Sequence, residues 1–93
     1  MQLSEAADAD LDGILAYGIE QFGEDTAEAY VRGFDGALAL IAEFSPIGSM
    51  HDEVRPPIRS LPHGSHYNLY DVFDNGVVVQ RMLHKSMNLE RWL

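Results

Sequence analysis

Three side chains in the last third of the chain are of types that could act together. Arg59, Arg81 and His84 fall in runs of strand-forming residues. On neighbouring strands, two guanidiniums and an imidazole could surround a phosphodiester, the first stabilising charge and the second moving a proton. The same residues have a structural reading, in which Arg81 pairs with Asp71 across a hairpin and His84 closes its strand. The remaining histidines raise the question of a metal. His63 and His66 are three apart, and His51 and His84 could approach them, but this spacing flanks a turn marked by Pro62 and Gly64, and the chain has no cysteine. Gly64-Ser65-His66 lacks the nucleophile-elbow pattern and no Gly-rich phosphate loop is present, so neither a metal nor a cofactor is expected.

The elements that must position these residues can be read from periodicity. Tyr67 to Phe73 and Val77 to His84 are rich in aromatic and β-branched residues, and Asp74-Asn75-Gly76 between them suits a tight hairpin turn. Ile58 to Leu61 supplies a further strand before the Pro62 and Gly64 breaks. Upstream, after a very short strand candidate at Met1 to Leu3, Ser4 is placed to cap a helix whose first turns carry Glu5, Asp8 and Asp10. Ala7, Leu11, Ile14, Leu15, Gly18 and Phe22 form its apolar stripe, which ends near Gly23. A second helix runs from Glu24 or Asp25 to Phe44 with Ala27, Tyr30, Val31, Phe34, Leu38 and Ile41 on one side, and Pro46 and Gly48 end it. The short link makes the two an antiparallel hairpin. Gly33 and Gly36 disfavour the second helix by about 1 kcal/mol each, which implies close packing, a partner's approach or simple tolerance. Ser45 to Pro57 reads as a loop, and the tail as a helical turn from Asn88 with Leu89, Trp92 and Leu93 apolar.

The expectation is one α+β domain over residues 1–93, a helical hairpin on a small antiparallel sheet. Strict alternation puts Val77, Val79, Leu83 and Arg81 on one face of the last strand and Val78, Gln80, Met82 and His84 on the other. Both faces are then apolar, whereas two helices cover one, so a second molecule is expected to cover the other.

Charge narrows the partners. The chain carries a net −9 over 93 residues, with −11 in residues 1–53 and +2 in residues 54–93. The acidic half is unsuited to phosphate, so specific nucleic-acid binding is not expected. No apolar run reaches the roughly 20 residues of a membrane span. The N-terminus is acidic, so a cytoplasmic location is expected.

The order of short motifs resembles that of ParE-type toxins of the RelE/ParE superfamily. These motifs are Ala7-Asp8-Ala9-Asp10-Leu11, Phe22-Gly23, Phe44-Ser45-Pro46-Ile47-Gly48, Arg59-Ser60-Leu61-Pro62-His63-Gly64-Ser65-His66, Leu69-Tyr70 and Gly76-Val77-Val78-Val79 with Arg81, Leu83 and His84. The resemblance implies a β-α-α-β-β-β fold and the toxin role of a type II toxin–antitoxin pair, in a hetero-oligomer with a cognate antitoxin. ParE-type members poison DNA gyrase; RelE-type members cut mRNA on the ribosome. The chain departs from the pattern in its short first strand, in Ser49 and His51 where many relatives are basic, and in Asn88 where Asp is common. The terminal tyrosine of many RNA-cleaving relatives has no counterpart in Lys85-Ser86-Met87, which favours a gyrase inhibitor that is not an enzyme. On the nuclease alternative Arg59, Arg81 and His84 would be catalytic; a non-toxic antitoxin-binding module is the third reading. The antitoxin is expected to dock on Arg59, Tyr70, Val78, Arg81, Met82 and His84.

Overall fold

The computed structural model describes residues 1–92; Leu93 and the side chain of Trp92, both assigned above to an apolar tail, lie outside what it describes. In chain order the elements are β1 (Gln2–Leu3), α1 (Glu5–Phe22), α2 (Glu24–Glu43), a 3-10 turn (Ser45–Ile47), β2 (Ser49–His51), β3 (Ile58–His63), β4 (His66–Phe73), β5 (Gly76–His84) and α3 (Leu89–Trp92). They build the expected α+β architecture, with a five-stranded sheet ordered β1-β5-β4-β3-β2. All neighbours are antiparallel except β1 with β5.

Local chemistry accounts for the boundaries. The Ser4 hydroxyl accepts from the Ala7 amide, capping α1, and donates to the Gln80 carbonyl, fixing the helix start on β5. Gly23, at φ 90°, makes the sharp link to α2. The reading of 45–57 as loop is corrected in part, because Ser49, Met50 and His51 pair with Ser60, Arg59 and Ile58. β3 also continues through Pro62 to His63, beyond the break expected at Pro62. The proline fits there because β2 pairs only with the first half of β3, so no ladder bond is asked of its missing N–H on that side.

The expected division of β5 into faces is corrected by a bulge. Leu69 lies opposite Arg81 and Tyr70 opposite Val79, so Gln80 is the extra residue and the alternation shifts past it. Val79 and Met82 therefore share the helix-side core with Ala7, Phe34, Ile41 and Tyr70, while Leu83 joins Val54, Ile58 and Leu69 on the outer face. The outer face is covered in part by the chain itself. Val54 from the β2–β3 loop and Leu89 from α3 pack against it. Among the described residues no helix is long and apolar enough to cross a membrane.

Candidate functional site

The helical hairpin leaves large apolar side chains outside the core it covers. Two clefts lie where the C-terminal half of α1 passes the ends of β4 and β5, and they share Ile14, Tyr17, His66 and His84. Phe22 extends the groove at one end and Met87 at the other. Tyr17 is 63% exposed and Phe22 67%, a concentration of apolar surface that a folded domain retains chiefly for a partner.

The floor of this groove is held by Tyr30 of α2. Its hydroxyl accepts from the Ser65 amide at 2.9 Å, lies 3.1 Å from the His63 carbonyl oxygen, and lies 2.7 Å from Nδ1 of His66. The His63 ring packs on Phe34, with centroids 4.4 Å apart, and its Nε2 lies 3.1 Å from the Tyr30 carbonyl. This explains Gly33, since a Cβ there would come within 2.6 Å of the His63 ring. Nothing stands within 4 Å of a Cβ at Gly36, which is simple tolerance. On β5, His84 meets the His66 ring edge-on at 5.3 Å, and its Nδ1 accepts from the Ser86 amide at 3.1 Å. Burial pushes His66 below the ordinary histidine range; charge on His84 and His63 acts the same way, against a smaller opposing pull from Asp10.

Of the expected trio, Arg81 and His84 share one groove and Arg59 lies apart from it. His84 is exposed and lines the groove, and Arg81 forms part of its wall. Arg81 is held by Asp10 rather than by Asp71, through two hydrogen bonds of 2.8 and 2.9 Å, and Asp10 also accepts from the Met82 amide. These bonds raise the Arg81 pKa. Asp71 instead accepts from Gln80. Arg59 donates to the carbonyls of Pro46 and Gly48, bracing the 3-10 turn. Arg59 and half-buried Val78 are not among the residues lining the groove. Tyr70 and Met82 are corrected as docking residues. At 0% and 2% exposure both are core, Tyr70 because its hydroxyl is enclosed between the Gly48 amide and the Ser45 carbonyl, Met82 because the bulge turns it inward. With both guanidiniums holding their own chain, the phosphodiester constellation of Arg59, Arg81 and His84 is not assembled.

His51 stands apart from the other histidines, with Nδ1 2.8 Å from Glu53 and Nε2 2.6 Å from Ser60 Oγ. The row resembles an activated serine, but Ser60 is 4% exposed, so the contact ties β2 to β3 rather than presenting a nucleophile. Hydrogen bonds from the backbone and from His51 lower the Glu53 pKa. Among the described residues no three metal-ligating side chains converge. Sequence reasoning missed Tyr30, Asp10, Ile14 and Tyr17 as site residues. Their signals, a helix-stripe tyrosine and one acid among several near the start of α1, are shared with purely structural positions.

The family profile described as "ParE toxin of type II toxin-antitoxin system, parDE" matches residues 1–89. The chain is 39% identical to Toxin ParE1 of Mycobacterium tuberculosis over 90 residues, covering 96% of this chain and 92% of that protein. It is 37% identical to Toxin ParE1 of Caulobacter vibrioides over 89 residues, covering 94% and 90%. A solved structure described as the chromosomal ParDE TA system from P. aeruginosa superposes with a TM-score of 0.77 at 18% identity, covering 89% of this chain and 91% of that one, a likeness of fold. A profile match across nearly the whole chain and two relatives above a third identical establish that this chain belongs to the ParE toxin family of type II toxin–antitoxin systems.

Proposed function

We propose that the chain is a cytoplasmic toxin that inhibits DNA gyrase without catalysing a reaction of its own, and that a cognate antitoxin neutralises it by direct binding in a hetero-oligomer. The observation carrying this is the family match across residues 1–89. The groove beside α1 supports the antitoxin part, as an apolar seat rimmed by Arg81 and His84 that accepts a segment with an apolar side. The non-catalytic part is supported by the distance of Arg59 from the groove that Arg81 and His84 share and by the intramolecular contacts that occupy both arginines.

Inducing the chain without its antitoxin should arrest growth and stimulate gyrase-dependent DNA cleavage, and added antitoxin should reverse both. Normal supercoiling by purified gyrase at excess toxin would overturn the gyrase assignment. Transcript cleavage in translating ribosomes, lost in His84→Ala, would replace it with the nuclease reading. Harmless expression with tight complex formation would replace it with the binding-module reading.

A further inference from the structure

The two imidazoles at the groove are held in opposite hydrogen-bonding states. His84 Nδ1 accepts from the Ser86 amide, and the Ser86 hydroxyl 2.8 Å away can donate to the same nitrogen; this arrangement assigns the ring proton to Nε2, a donor. For His66 the assignment follows from counting protons on Tyr30. The hydroxyl takes a hydrogen bond from the Ser65 amide, and the His63 carbonyl can only accept, so the hydroxyl's one proton goes to His63. All three contacts then carry a proton only if His66 Nδ1–H donates to Tyr30, which leaves His66 Nε2 as an acceptor. Both rings line both clefts.

The geometry points to His66 and His84 as a specificity pair, an acceptor and a donor that together recognise the carboxamide of an Asn or Gln on the bound segment. This rests on the antitoxin reading above. A carboxylate offers acceptors alone and would face the His66 lone pair; an ammonium offers donors alone and would face the His84 N–H. A hydroxyl has both functions on one atom, whereas the two ring centroids stand 5.3 Å apart, so an acceptor and a donor on separate atoms, as in an amide, can serve both rings. The pair is also sensitive to pH. A proton added to His66 Nε2 turns the acceptor into a second donor. The groups around that ring are Tyr30 from α2, His63 from β3, His84 from β5 and Asp10 from α1, with Arg81 on the groove wall. Burial and the neighbouring imidazoles lower the His66 pKa and so favour the neutral ring.

Two measurements test the pair. Nitrogen-15 NMR of the isolated chain at pH 7.5 should show His66 protonated on Nδ1 and His84 on Nε2; the reverse for either ring overturns the proposal. Titration calorimetry with the purified cognate antitoxin should show His66→Asn, which keeps a donor near Nδ1, and His84→Asn each weakening binding roughly tenfold, as loss of one hydrogen bond does. One Asn or Gln of the antitoxin should give the same loss when replaced by Asp. Wild-type affinity should fall as the pH drops from 7.5 to 5.5, with no such fall in His66→Asn. Binding of both variants within twofold of wild type overturns the pair while leaving the antitoxin reading intact; no binding by the wild-type chain overturns that reading itself.

Discussion

The two faces of the sheet are covered by different means. On the helix side, two long helices press Ala7, Phe34 and Ile41 onto Tyr70, Val79 and Met82 in one continuous core. On the outer side, Ile58, Leu69 and Leu83 are closed by Val54 from a loop and Leu89 from a four-residue helix. Regular helices bury a wide stripe with their backbone bonds satisfied internally, whereas a loop and a short turn contribute one or two side chains each. Stability should therefore sit with the first face.

The sharpest way to break this contrast is a charge on each side. Met82→Asp places a carboxylate in the helix-side core and should destabilise by at least about 4 kcal/mol, enough to unfold the domain by circular dichroism. Val78→Asp, at a half-buried position paired with Asp71, should cost about 1–2 kcal/mol and leave the domain folded. Equal losses would mean that the faces share the load. Asp10→Ala comes next, at about 2–3 kcal/mol by chemical denaturation, because it removes the carboxylate that accepts from both the Arg81 guanidinium and the Met82 amide. Leu89→Ser removes part of the outer cover and should cost about 1 kcal/mol.

The smallest expected effect is that of pH. The folded-state pKa of His66 is depressed, so the unfolded chain binds its proton more readily. Stability from this residue is present above the ordinary histidine pKa and lost as pH falls through the lower folded value. Thermal melts should shift downward between pH 7.5 and 5 in the wild type and shift less in His66→Asn. An unchanged slope in the variant would place the proton-sensitive group elsewhere.

Much of the fold was legible because its signals are local. Ser4 capping α1, the Gly23 link and the Asp74-Asn75-Gly76 turn each depend on neighbours within a few residues. The faces of β5 were misread because a bulge at Gln80 leaves no mark in a strand's own alternation; it is set by how Leu69 and Tyr70 register across the ladder. The short β2 was missed for the same reason, since Ser49-Met50-His51 is a strand only by virtue of its pairing with β3. At the site, His84 and Arg81 were found as polar residues ending a strand, but Asp10 and Tyr30 act on residues 71 and 36 positions away, respectively, and spacing cannot show such contacts.

The carboxylate of Asp10 also bears on solubility. β1 pairs only with Val78 and Val79, so the rest of β5 would present an open row of backbone groups to any passing strand. Asp10 occupies the Met82 amide there, and the start of α1 occupies the Val79 and Gln80 carbonyls through Ser4. A sheet stopped in this way resists growth at its long strand. The opposite border is the three-residue β2, too short to template much. Asp10→Ala, beyond its loss of stability, should therefore make the chain prone to strand-to-strand aggregation.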